Sequence, residues 1–477
     1  MKMIIDGEAV DASDKAVIEV INPANGKLID TVPSATEADV NLAVEKAKKG
    51  QKIWAKVPIH EKGDILLKFV ALVEENREKL ARTLSDETGK PISEARGEIA
   101  NIPIAFKGFV EKAKHLYGEI IPNGQEKNQE HNVLLTIREP IGVVACVIPF
   151  NFPCDLFDQK VAPTLLAGNA AIVKPSTDNP LTLCMLTELM VKAGVSKGAI
   201  QILTGRGSHV GNWLCRHPDV HGITFTGSTE AGIETYKNAA NHLAHIALEL
   251  GGNDAFIVWK DGDLDLAVED TIWGRMYNTG QVCCASKRFL IHNSLKSAFA
   301  QKLTERIKKI KLGDPADDAT QLGCLISEKA AIEVERQVNL TVSQGGKIIL
   351  GGKRNGAFYE PTVIADVPKT ADVAKDMEIF GPVVPIVGFD TLEEAVEIAN
   401  ASKFGLCGCI FTADIKTAWK TAVQLECGGV VVNGASFFRS FEMPFGGYKY
   451  SGIGTEGVIS TFDEVTLTKT IVLKNII

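Results

Sequence analysis

Short apolar runs alternate with helical segments along most of this chain, and no other feature constrains the fold as strongly. The runs occupy residues 143–148, 170–173, 200–203, 222–225 and 255–258, and then 288–291, 347–350, 383–389, 407–411 and 430–433. Strands that are apolar throughout are buried on both faces, which is typical of parallel sheets covered by helices. The pattern predicts an α/β protein with two parallel-sheet domains that join near Gly251 and Gly252.

Three other segments carry different patterns. Residues 36–115 show the long polar and apolar periodicity of helices. Residues 132–138 and 464–473 alternate apolar and polar side chains, as half-exposed strands do. These two strands are expected to stand apart from the parallel sheets.

Composition excludes several classes of function. The chain has 477 residues and a formal net charge of −8, which argues against binding nucleic acid or an anionic membrane. Its longest compact apolar run, 141–150, is about half as long as a membrane-spanning helix. Asp6 interrupts the N-terminal segment too early for a signal peptide. The ten cysteines lie mostly within apolar strings, as small core residues do, which indicates a reducing compartment and predicts a cytoplasmic protein.

A cysteine and a glutamate, each beside a tight turn, could perform covalent catalysis together. Gly280 and Gln281 precede the pair Cys283 and Cys284, and Glu249 stands just before a Gly-Gly pair. A thiolate attacks an electrophilic carbon, and a carboxylate then activates water to release the product. On chemistry alone either cysteine could be the nucleophile, and Glu249 could instead be a solvated residue at a helix end.

An asparagine that follows the run 143–148 could assist such chemistry. The side-chain amide of Asn151, helped by the backbone N–H of Cys283, can donate to a developing oxyanion. The alternative is a turn asparagine before Phe152 and Pro153, which is a common role.

These segments resemble the signatures of the aldehyde dehydrogenase superfamily. Glu249 and Cys283 are 34 residues apart, as in that family, and further matches follow in the family's order over nearly the whole chain. They are Ile-Pro-Phe-Asn-Phe-Pro at 148–153, Lys-Pro-Ser-Thr at 174–177, Phe-Thr-Gly-Ser at 225–228, Glu-Ile-Phe-Gly-Pro at 378–382 and Pro-Phe-Gly-Gly-Tyr-Lys at 444–449. The chain is closest in character to lactaldehyde and succinate-semialdehyde dehydrogenases of the non-acylating type.

The resemblance implies a fold and an assembly. It implies a variant Rossmann dinucleotide-binding domain over 1–120 and 141–251, and a catalytic domain over 252–448. Residues 121–140 and 460–477 would form an oligomerisation arm that completes a neighbouring subunit's sheet, although a local hairpin within one chain is the alternative. A homodimer or homotetramer is then expected.

The resemblance also implies NAD(P)-dependent oxidation of an aldehyde to its acid, with catalytic residues Cys283, Glu249 and Asn151. No Gly-x-Gly-x-x-Gly motif is present, so the dinucleotide would bind in the family's variant mode. The helix that starts at Ser228 would meet the pyrophosphate. The residues expected at the cofactor are Ile148, Pro149, Phe150, Lys174, Ser176, Thr177, Gly207, Gly211, Phe225, Gly227, Ser228, Leu250, Glu378 and Phe380.

One position bears on cofactor choice. NAD-selective members often have a glutamate where this chain has Thr177, and that carboxylate repels a 2′-phosphate. Ser176 and Thr177 are neutral donors, so we expect the chain to use NADP or NAD. The alternative for Thr177 is that its hydroxyl only caps a turn.

The substrate pocket implied by the resemblance contains polar and cationic residues. Arg439 and Gln159 predict a short hydroxylated or anionic aldehyde, whereas an aromatic funnel for long-chain aldehydes is not expected. Arg439 could instead form a surface ion pair with Glu442. The expected pocket residues are Phe152, Leu156, Gln159, Val282, Cys284, Arg439 and Phe445.

Three alternative functions remain. A metal protein could use Cys215 with His217 and His221, Cys407 with Cys409, or His242 and His245 on one helix face, but no paired Cys-x-x-Cys is present and no metal is expected. A non-catalytic scaffold of the same fold is the second. A CoA-acylating dehydrogenase is the third, and Glu249 argues against it, because such enzymes often lack the base.

Overall fold

The computed structural model describes all 477 residues. Four helices fill the predicted helical segment 36–115, and ten more follow. The α-helices are α1 (Glu37–Trp54), α2 (Ile59–Glu75), α3 (Arg77–Thr88), α4 (Ile92–Ala113), α5 (Pro153–Leu166), α6 (Leu181–Ala193), α7 (Asn212–Arg216), α8 (Thr229–Ala240), α9 (Leu264–Met276), α10 (Asn293–Ile307), α11 (Glu328–Ser343), α12 (Leu392–Asn400), α13 (Ile415–Gln424) and α14 (Thr461–Glu464).

Each predicted strand is present, with bounds that differ by at most two residues inside the parallel sheets. The strands are β1 (Met3–Ile5), β2 (Glu8–Val10), β3 (Val17–Ile21), β4 (Leu28–Pro33), β5 (Ile120–Ile121), β6 (Val133–Pro140), β7 (Val143–Val147), β8 (Ala170–Lys174), β9 (Ile200–Ile202), β10 (Gly222–Thr226), β11 (His245–Glu249), β12 (Asp254–Val258), β13 (Ser286–His292), β14 (Lys347–Leu350), β15 (Arg354–Asn355), β16 (Phe358–Tyr359), β17 (Thr362–Ala365), β18 (Val383–Phe389), β19 (Phe404–Gly405), β20 (Cys407–Phe411), β21 (Gly429–Val432), β22 (Tyr448–Lys449), β23 (Gly452–Ile453) and β24 (Thr466–Leu473).

Two large sheets organise the molecule. The first has the order β2-β1-β9-β8-β7-β10-β11-β23, with a parallel centre from β9 to β11 and antiparallel strands at both edges. The second has the order β14-β17-β18-β13-β12-β20-β21 and is parallel except for β14. The chain passes from the first sheet to the second between Glu249 and Asp254.

Apolar clusters cover both faces of each sheet. In β7, Val144 and Cys146 belong to one cluster, and Val143 and Ala145 belong to another on the opposite face. The neighbouring residues of β12 divide in the same way between two clusters of the second sheet. Because successive side chains of a strand point to opposite faces, burial on both sides requires the continuous apolar runs seen in the sequence.

A third sheet lies outside these two. β24 pairs with β6 over eight residues in antiparallel register, and β5 pairs with the other side of β6. Within one chain the two half-exposed strands therefore pair with each other. No helix of the chain has the length and apolarity needed to span a bilayer.

Candidate active site

Two of the three predicted catalytic residues lie where strands leave the first sheet, and the third lies just before a strand of the second sheet. Asn151 follows β7, and Glu249 is the last residue of β11, opposite Thr226 in the parallel register. Cys283 follows α9 and a short 3₁₀ turn, Tyr277–Gly280. Ligands of α/β proteins bind at the carboxyl ends of parallel strands, so these loops and strand ends are suited to carry a site.

Two glycines allow the catalytic segments to approach closely. Gly280 has a φ of +76°, and a Cβ atom there would lie 2.3 Å from the carbonyl oxygen of Gly381. A Cβ atom on Gly252 would lie 2.9 Å from the carbonyl oxygen of Cys283. Side chains at these positions would push the nucleophile turn away from both the Glu249 segment and the turn that contains Gly381.

Several neighbouring groups act on the pKa of the Cys283 thiol. A hydrogen bond with Cys284 and then burial raise the pKa of the Cys283 thiol well above its usual value, while the charges of Lys287 and Arg439 lower it. The first two effects outweigh the two cations, so the net direction of the shift in the thiol pKa is upward. Attack by Cys283 requires a group that accepts its proton.

Glu249 has the environment of a base. It is 4% exposed, and neither of its carboxylate oxygens has a hydrogen-bond partner. Burial raises the pKa of Glu249 well above its usual value, the nearby charges of Cys283 and Glu456 add to the rise, and Lys160 opposes it. Glu249 is thus a buried residue at a strand end, which rules out a solvated residue at a helix end.

Asn151 is held through its backbone and free at its side chain. Its carbonyl oxygen accepts hydrogen bonds from Lys90 Nζ at 3.0 Å and from Asn278 Nδ2 at 2.9 Å. The backbone N–H of Asn278 donates to Glu94 at 2.8 Å, and burial raises the pKa of Glu94 to about 8. The side-chain amide of Asn151 makes no hydrogen bond within the protein, so it remains available to donate to a ligand.

A second buried group of charges lies beside Glu249. Lys160 Nζ donates to Thr224 Oγ1 at 3.1 Å and pairs with Glu456 Oε1 at 2.6 Å. The other oxygen of Glu456 accepts from Arg439 Nη2 at 3.2 Å. The ion pair suggested for Arg439 with Glu442 is therefore wrong, because the side chain points inward to Glu456.

The predicted pocket residues divide between two clusters. Val282, Cys284 and Phe445 pack together beside Cys283, and the guanidinium of Arg439 lies 4.1 Å above the Phe445 ring. The Gln159 amide is buried and has no hydrogen-bond partner. Leu156 lies in the core beneath the first sheet, and Phe152 packs against that core and the Cys283 cluster.

Aromatic side chains are more prominent here than expected. Phe152 stacks on Tyr277 with ring centroids 6.1 Å apart, and Phe437 packs against Phe152, Tyr277 and Trp273. The prediction of a pocket without an aromatic funnel named neither Trp273 nor Tyr277, which come from the helical turns before Cys283. Their i, i+4 spacing was the available signal.

The predicted cofactor residues lie around the carboxyl ends of β7, β8 and β10. Phe150 and Phe380 meet edge to face, with ring centroids 6.0 Å apart. Lys174 is buried without a carboxylate partner, which lowers the pKa of its ammonium group to about 8. Ser228 is the N-cap of α8, and its hydroxyl accepts from the backbone N–H of Ala231 at 3.3 Å.

The remaining members of this set have structural neighbours of their own. The N–H of Ile148 donates to the Lys174 carbonyl, the N–H of Leu250 donates to the Ser451 carbonyl, and Thr177 Oγ1 donates to the Gly205 carbonyl at 3.3 Å. Gly207 and Gly211 bound a π-helical turn, Phe225 is buried in β10, and Gly227 packs against the Phe225 ring.

Sequence reasoning missed three buried lysines that surround the reacting groups. Lys90 pairs with Glu98 beneath Asn151, Lys160 pairs with Glu456 beside Glu249, and Lys287 pairs with Glu378 at 2.9 Å behind Cys283. Their burial follows from the tertiary fold, and the charged residues near Lys90 and the adjacent Arg288 beside Lys287 gave no sign of it in the sequence.

The histidines and cysteines do not gather into a metal site. α8 ends at Ala240, so His242 follows the helix and His245 begins β11, and they do not share a helix face as suggested. No group of three or more His, Cys, Asp or Glu side chains has an arrangement that could hold a metal ion.

Comparison with known proteins identifies the family. The profile described as "Aldehyde dehydrogenase family" matches residues 9–471. Glutarate-semialdehyde dehydrogenase of Pseudomonas putida is 38% identical over 454 residues, which are 95% of this chain and 93% of that protein. The NADP(+) succinate-semialdehyde dehydrogenase of Escherichia coli is 36% identical over 95% of this chain and 94% of its own length.

A solved structure agrees. A point mutant of betaine aldehyde dehydrogenase from Staphylococcus aureus, in complex with NAD+, superposes with a TM-score of 0.95 at 35% identity, covering 99% of this chain and 97% of that one. The chain belongs to the aldehyde dehydrogenase family. The predicted family, fold and class of enzyme are thus confirmed.

Proposed function

We propose that this enzyme oxidises a short anionic aldehyde to its carboxylic acid with NAD or NADP, through a thioester on Cys283. Cys283 is close enough to Glu249 to raise the pKa of that carboxyl, so Glu249 can accept the thiol proton. The sulfur then attacks the aldehyde carbon and forms a thiohemiacetal.

Asn151 and the backbone N–H of Cys283 stabilise the oxyanion of that adduct. The argument rests on the free amide of Asn151, whose backbone is fixed by Lys90 and Asn278. Donors that are fixed before the reaction stabilise developing charge without further reorganisation. Bound NAD(P)+ supplies the hydride acceptor, and loss of hydride leaves a thioester on Cys283.

Glu249 first loses the thiol proton to solvent and then takes a proton from water. The water oxygen bonds to the thioester carbon, the C–S bond breaks, and the Cys283 sulfur takes the proton back from Glu249 as the acid leaves. The two unpartnered oxygens of Glu249 and its raised pKa suit this role, because a general base works best when its pKa is near the operating pH. Glu249 also favours hydrolysis over transfer of the acyl group to CoA. A scaffold without activity would have no reason to keep a buried, unpartnered carboxylate beside a thiol.

The residues fit a dinucleotide. Lys174 is a buried cation without a carboxylate partner, suited to ribose hydroxyls or a 2′-phosphate. Helix α8 offers its N-terminal N–H groups to phosphate. Glu378 Oε2 has no hydrogen bond and can accept from the nicotinamide ribose. The NADP-dependent relative and the NAD+ complex of another support use of either cofactor.

Arg439 is the observation that carries the substrate class. Its side chain is 22% exposed, its Nε has no hydrogen-bond partner, and its charge acts on both Cys283 and Glu249. Glu456 uses only one Arg439 nitrogen, so the guanidinium keeps donors for a carboxylate of the substrate. The names of two relatives specify aldehydes that carry a carboxylate, glutarate semialdehyde and succinate semialdehyde.

The test compares aldehydes of equal length with and without the anionic end. Succinate and glutarate semialdehydes should give a higher kcat/KM than butanal and pentanal. Arg439→Met should raise KM for the semialdehydes by about tenfold or more, the value of one charge-assisted hydrogen bond, and should change KM for butanal far less. Arg336→Met, which breaks an exposed pair with Glu333, is the control. Equal rates with butanal and succinate semialdehyde in the wild type would refute the anionic class.

The domain division follows the sheets. We assign 1–120 and 141–251 to cofactor binding and 252–448 to catalysis, because the chain changes sheets between Glu249 and Asp254. The ten cysteines are all free, which supports a reducing compartment and hence the cytoplasm.

We assign residues 121–140 and 460–477 to an oligomerisation arm. The partner that this arm binds is a second copy of the chain. Strand β24 lies at the edge of its sheet and exposes Leu467, Val472 and Leu473, and strand β21 is an open edge of the second sheet. Open edges of this kind pair with other strands. Light scattering should give a dimer or tetramer, and a monomer for the variant with Leu467→Lys and Val472→Lys; an unchanged mass would refute the arm.

A further inference from the structure

Lys287 is a buried cation that none of the steps above uses. It lies in β13, four residues after the nucleophile, and its side chain is 1% exposed. Its Nζ donates to the carbonyl oxygen of Cys283 and pairs with Glu378 Oε1 at 2.9 Å. A buried charge is stable only with partners of this kind, so the position of Lys287 is fixed by both contacts.

The partner carboxylate is held on one side only. Glu378 Oε1 also accepts from the backbone N–H of Gly252 at 3.3 Å, whereas Oε2 has no hydrogen bond. The side chain of Glu378 is 19% exposed. One oxygen is therefore fixed by the protein, and the other, which has no hydrogen bond in the protein, remains able to accept from a ligand.

Lys287 thereby joins three functional segments. Its contacts reach the loop of Cys283, the turn after Glu249 through Gly252, and the segment that contains Glu378 and Phe380. Its ammonium group also lies 5.7 Å from the centre of the Phe380 ring.

The ammonium group of Lys287 lies among the titratable groups of the reacting centre. Lys287 is the strongest of the cations that lower the pKa of the Cys283 thiol, ahead of Arg439. It also lowers the pKa of Asp254, which burial raises to about 7. The Cys283 thiol also lies near Cys284, which opposes its ionisation, and near Glu249, which can share its proton.

We propose that Lys287 is a positioning residue that couples cofactor binding to the nucleophile: it fixes Glu378 for the nicotinamide ribose and steadies the Cys283 loop with the same ammonium group. This proposal rests on the assignment of Glu378 to the cofactor site made above. A lysine at this position can respond to the cofactor, because a ribose hydroxyl that donates to Glu378 competes with Lys287 for that carboxylate and so alters how far the carboxylate offsets the lysine's effect on the thiol.

The experiment measures cofactor binding and thiol reactivity separately, without turnover. Dissociation constants for NADH and NADPH are obtained by fluorescence titration, and the alkylation rate of Cys283 by iodoacetamide is followed against pH by mass spectrometry of its peptide. The variants are Lys287→Met, Lys287→Arg and Glu378→Gln. Lys296→Met, which breaks an exposed pair with Asp366, is the matched control and should leave both measurements unchanged.

We expect Lys287→Met to weaken cofactor binding by about tenfold or more, since it leaves Glu378 without its cation. The midpoint of the alkylation profile should move up by about one pH unit, because a nearby cation favours the thiolate. Lys287→Arg should recover part of both effects. Cofactor affinity and alkylation midpoint both at wild-type values in folded Lys287→Met would overturn the proposal.

Glu378→Gln distinguishes the proposed role of Lys287 from the assignment of Glu378 to the cofactor site. Unchanged cofactor affinity in Glu378→Gln would mean that Glu378 does not contact the cofactor, and the cofactor assignment would fail. Weaker binding in Glu378→Gln with normal binding in Lys287→Met would refute the role of Lys287 alone. If Lys287→Met does not fold, the alkylation of Cys283 in Glu378→Gln provides the test. Glu378→Gln frees the charge of Lys287 and should lower the pH midpoint of alkylation. An unmoved midpoint would refute the coupling.

Discussion

The reacting centre and the adenosine end of the proposed cofactor cleft use similar polar residues but differ in how those residues are satisfied. At the centre, neither oxygen of the buried Glu249 carboxylate has a hydrogen-bond partner in the protein. At the adenosine end, the hydroxyls of Ser176 and Thr177 already bond the backbone, each at 3.3 Å. Buried polar groups without partners are rare in folded proteins, so the first region requires a ligand in a way that the second does not.

The difference has an energetic meaning. A buried polar group left without a partner costs about 1–3 kcal/mol, whereas exchanging one hydrogen bond for another gains only about 1 kcal/mol. Residue identity at the centre is therefore tightly constrained by the reaction. At the adenosine end a ligand competes with existing bonds, and cofactor preference depends on small differences. Variants at Cys283 and Glu249 probe the reacting centre, and a variant at Thr177 probes the adenosine end.

The largest effect is expected at the nucleophile. Cys283→Ala should lower kcat by about a thousandfold or more, because it removes the covalent path, while folding and cofactor binding stay near normal. Steady-state rates at 340 nm and a cofactor titration measure the two quantities. Cys284→Ala is the matched control and should keep substantial activity. An inactive Cys284→Ala with an active Cys283→Ala would move the nucleophile by one position.

The fold could be predicted where burial leaves a recognisable pattern of apolar residues along the sequence. β7 and β12 are apolar at every position because both faces are covered, and both were found. β17 lies in the same parallel sheet, yet its four residues follow Pro361 without a long apolar run, so it was missed. The antiparallel edges formed by β1, β2 and β23 were also missed, since edge strands of two or three residues carry too little pattern.

The chemistry of the site was predictable only in part. Residue types and spacing pointed to Cys283 and Glu249, but the direction of the thiol pKa depends on Cys284, Lys287 and Arg439 together. The partner of Arg439 is Glu456, 17 residues away, whereas Glu442 is its neighbour in sequence. Such pairings come from the tertiary fold, and sequence proximity favours the wrong partner.

The second prediction tests the unpartnered carboxylate. Glu249→Gln keeps the shape and removes the base, so steady turnover should fall by about a hundredfold or more. Hydride transfer in the first turnover should survive better than steady turnover. Rapid mixing should then show a burst of reduced cofactor followed by a slow phase. Unchanged steady-state turnover would refute the role of Glu249 as the base.

Glu249→Gln also tests the pH dependence of deacylation. Because burial raises the pKa of Glu249, its base form develops only as pH rises through that raised value. Wild-type deacylation should therefore quicken with pH above the usual range of a glutamate, and Glu249→Gln should flatten this limb of the profile. A limb that persists in the variant would belong to another group, with Cys283 as the first to examine.

The smallest effect is expected at the adenosine end. Thr177 carries no charge, and Lys174 lies nearby as a buried cation, so the wild type should bind NADP measurably. A charge-assisted hydrogen bond contributes roughly 1.5–3 kcal/mol, which corresponds to about a tenfold or greater change in affinity. Thr177→Glu places a carboxylate where the 2′-phosphate is expected and should weaken NADP far more than NAD. Ser176→Thr, which adds no charge, is the control for steric change.

KM values for both cofactors in the wild type and in Thr177→Glu decide this point. The hydroxyl of Thr177 already donates to the Gly205 carbonyl, so the prediction depends on the direction in which a longer side chain at this position points. If the wild type does not use NADP, or if Thr177→Glu treats both cofactors as the wild type does, Thr177 only caps its turn. The adenosine ribose would then lie elsewhere, and Lys174 would be the remaining residue with which to locate it.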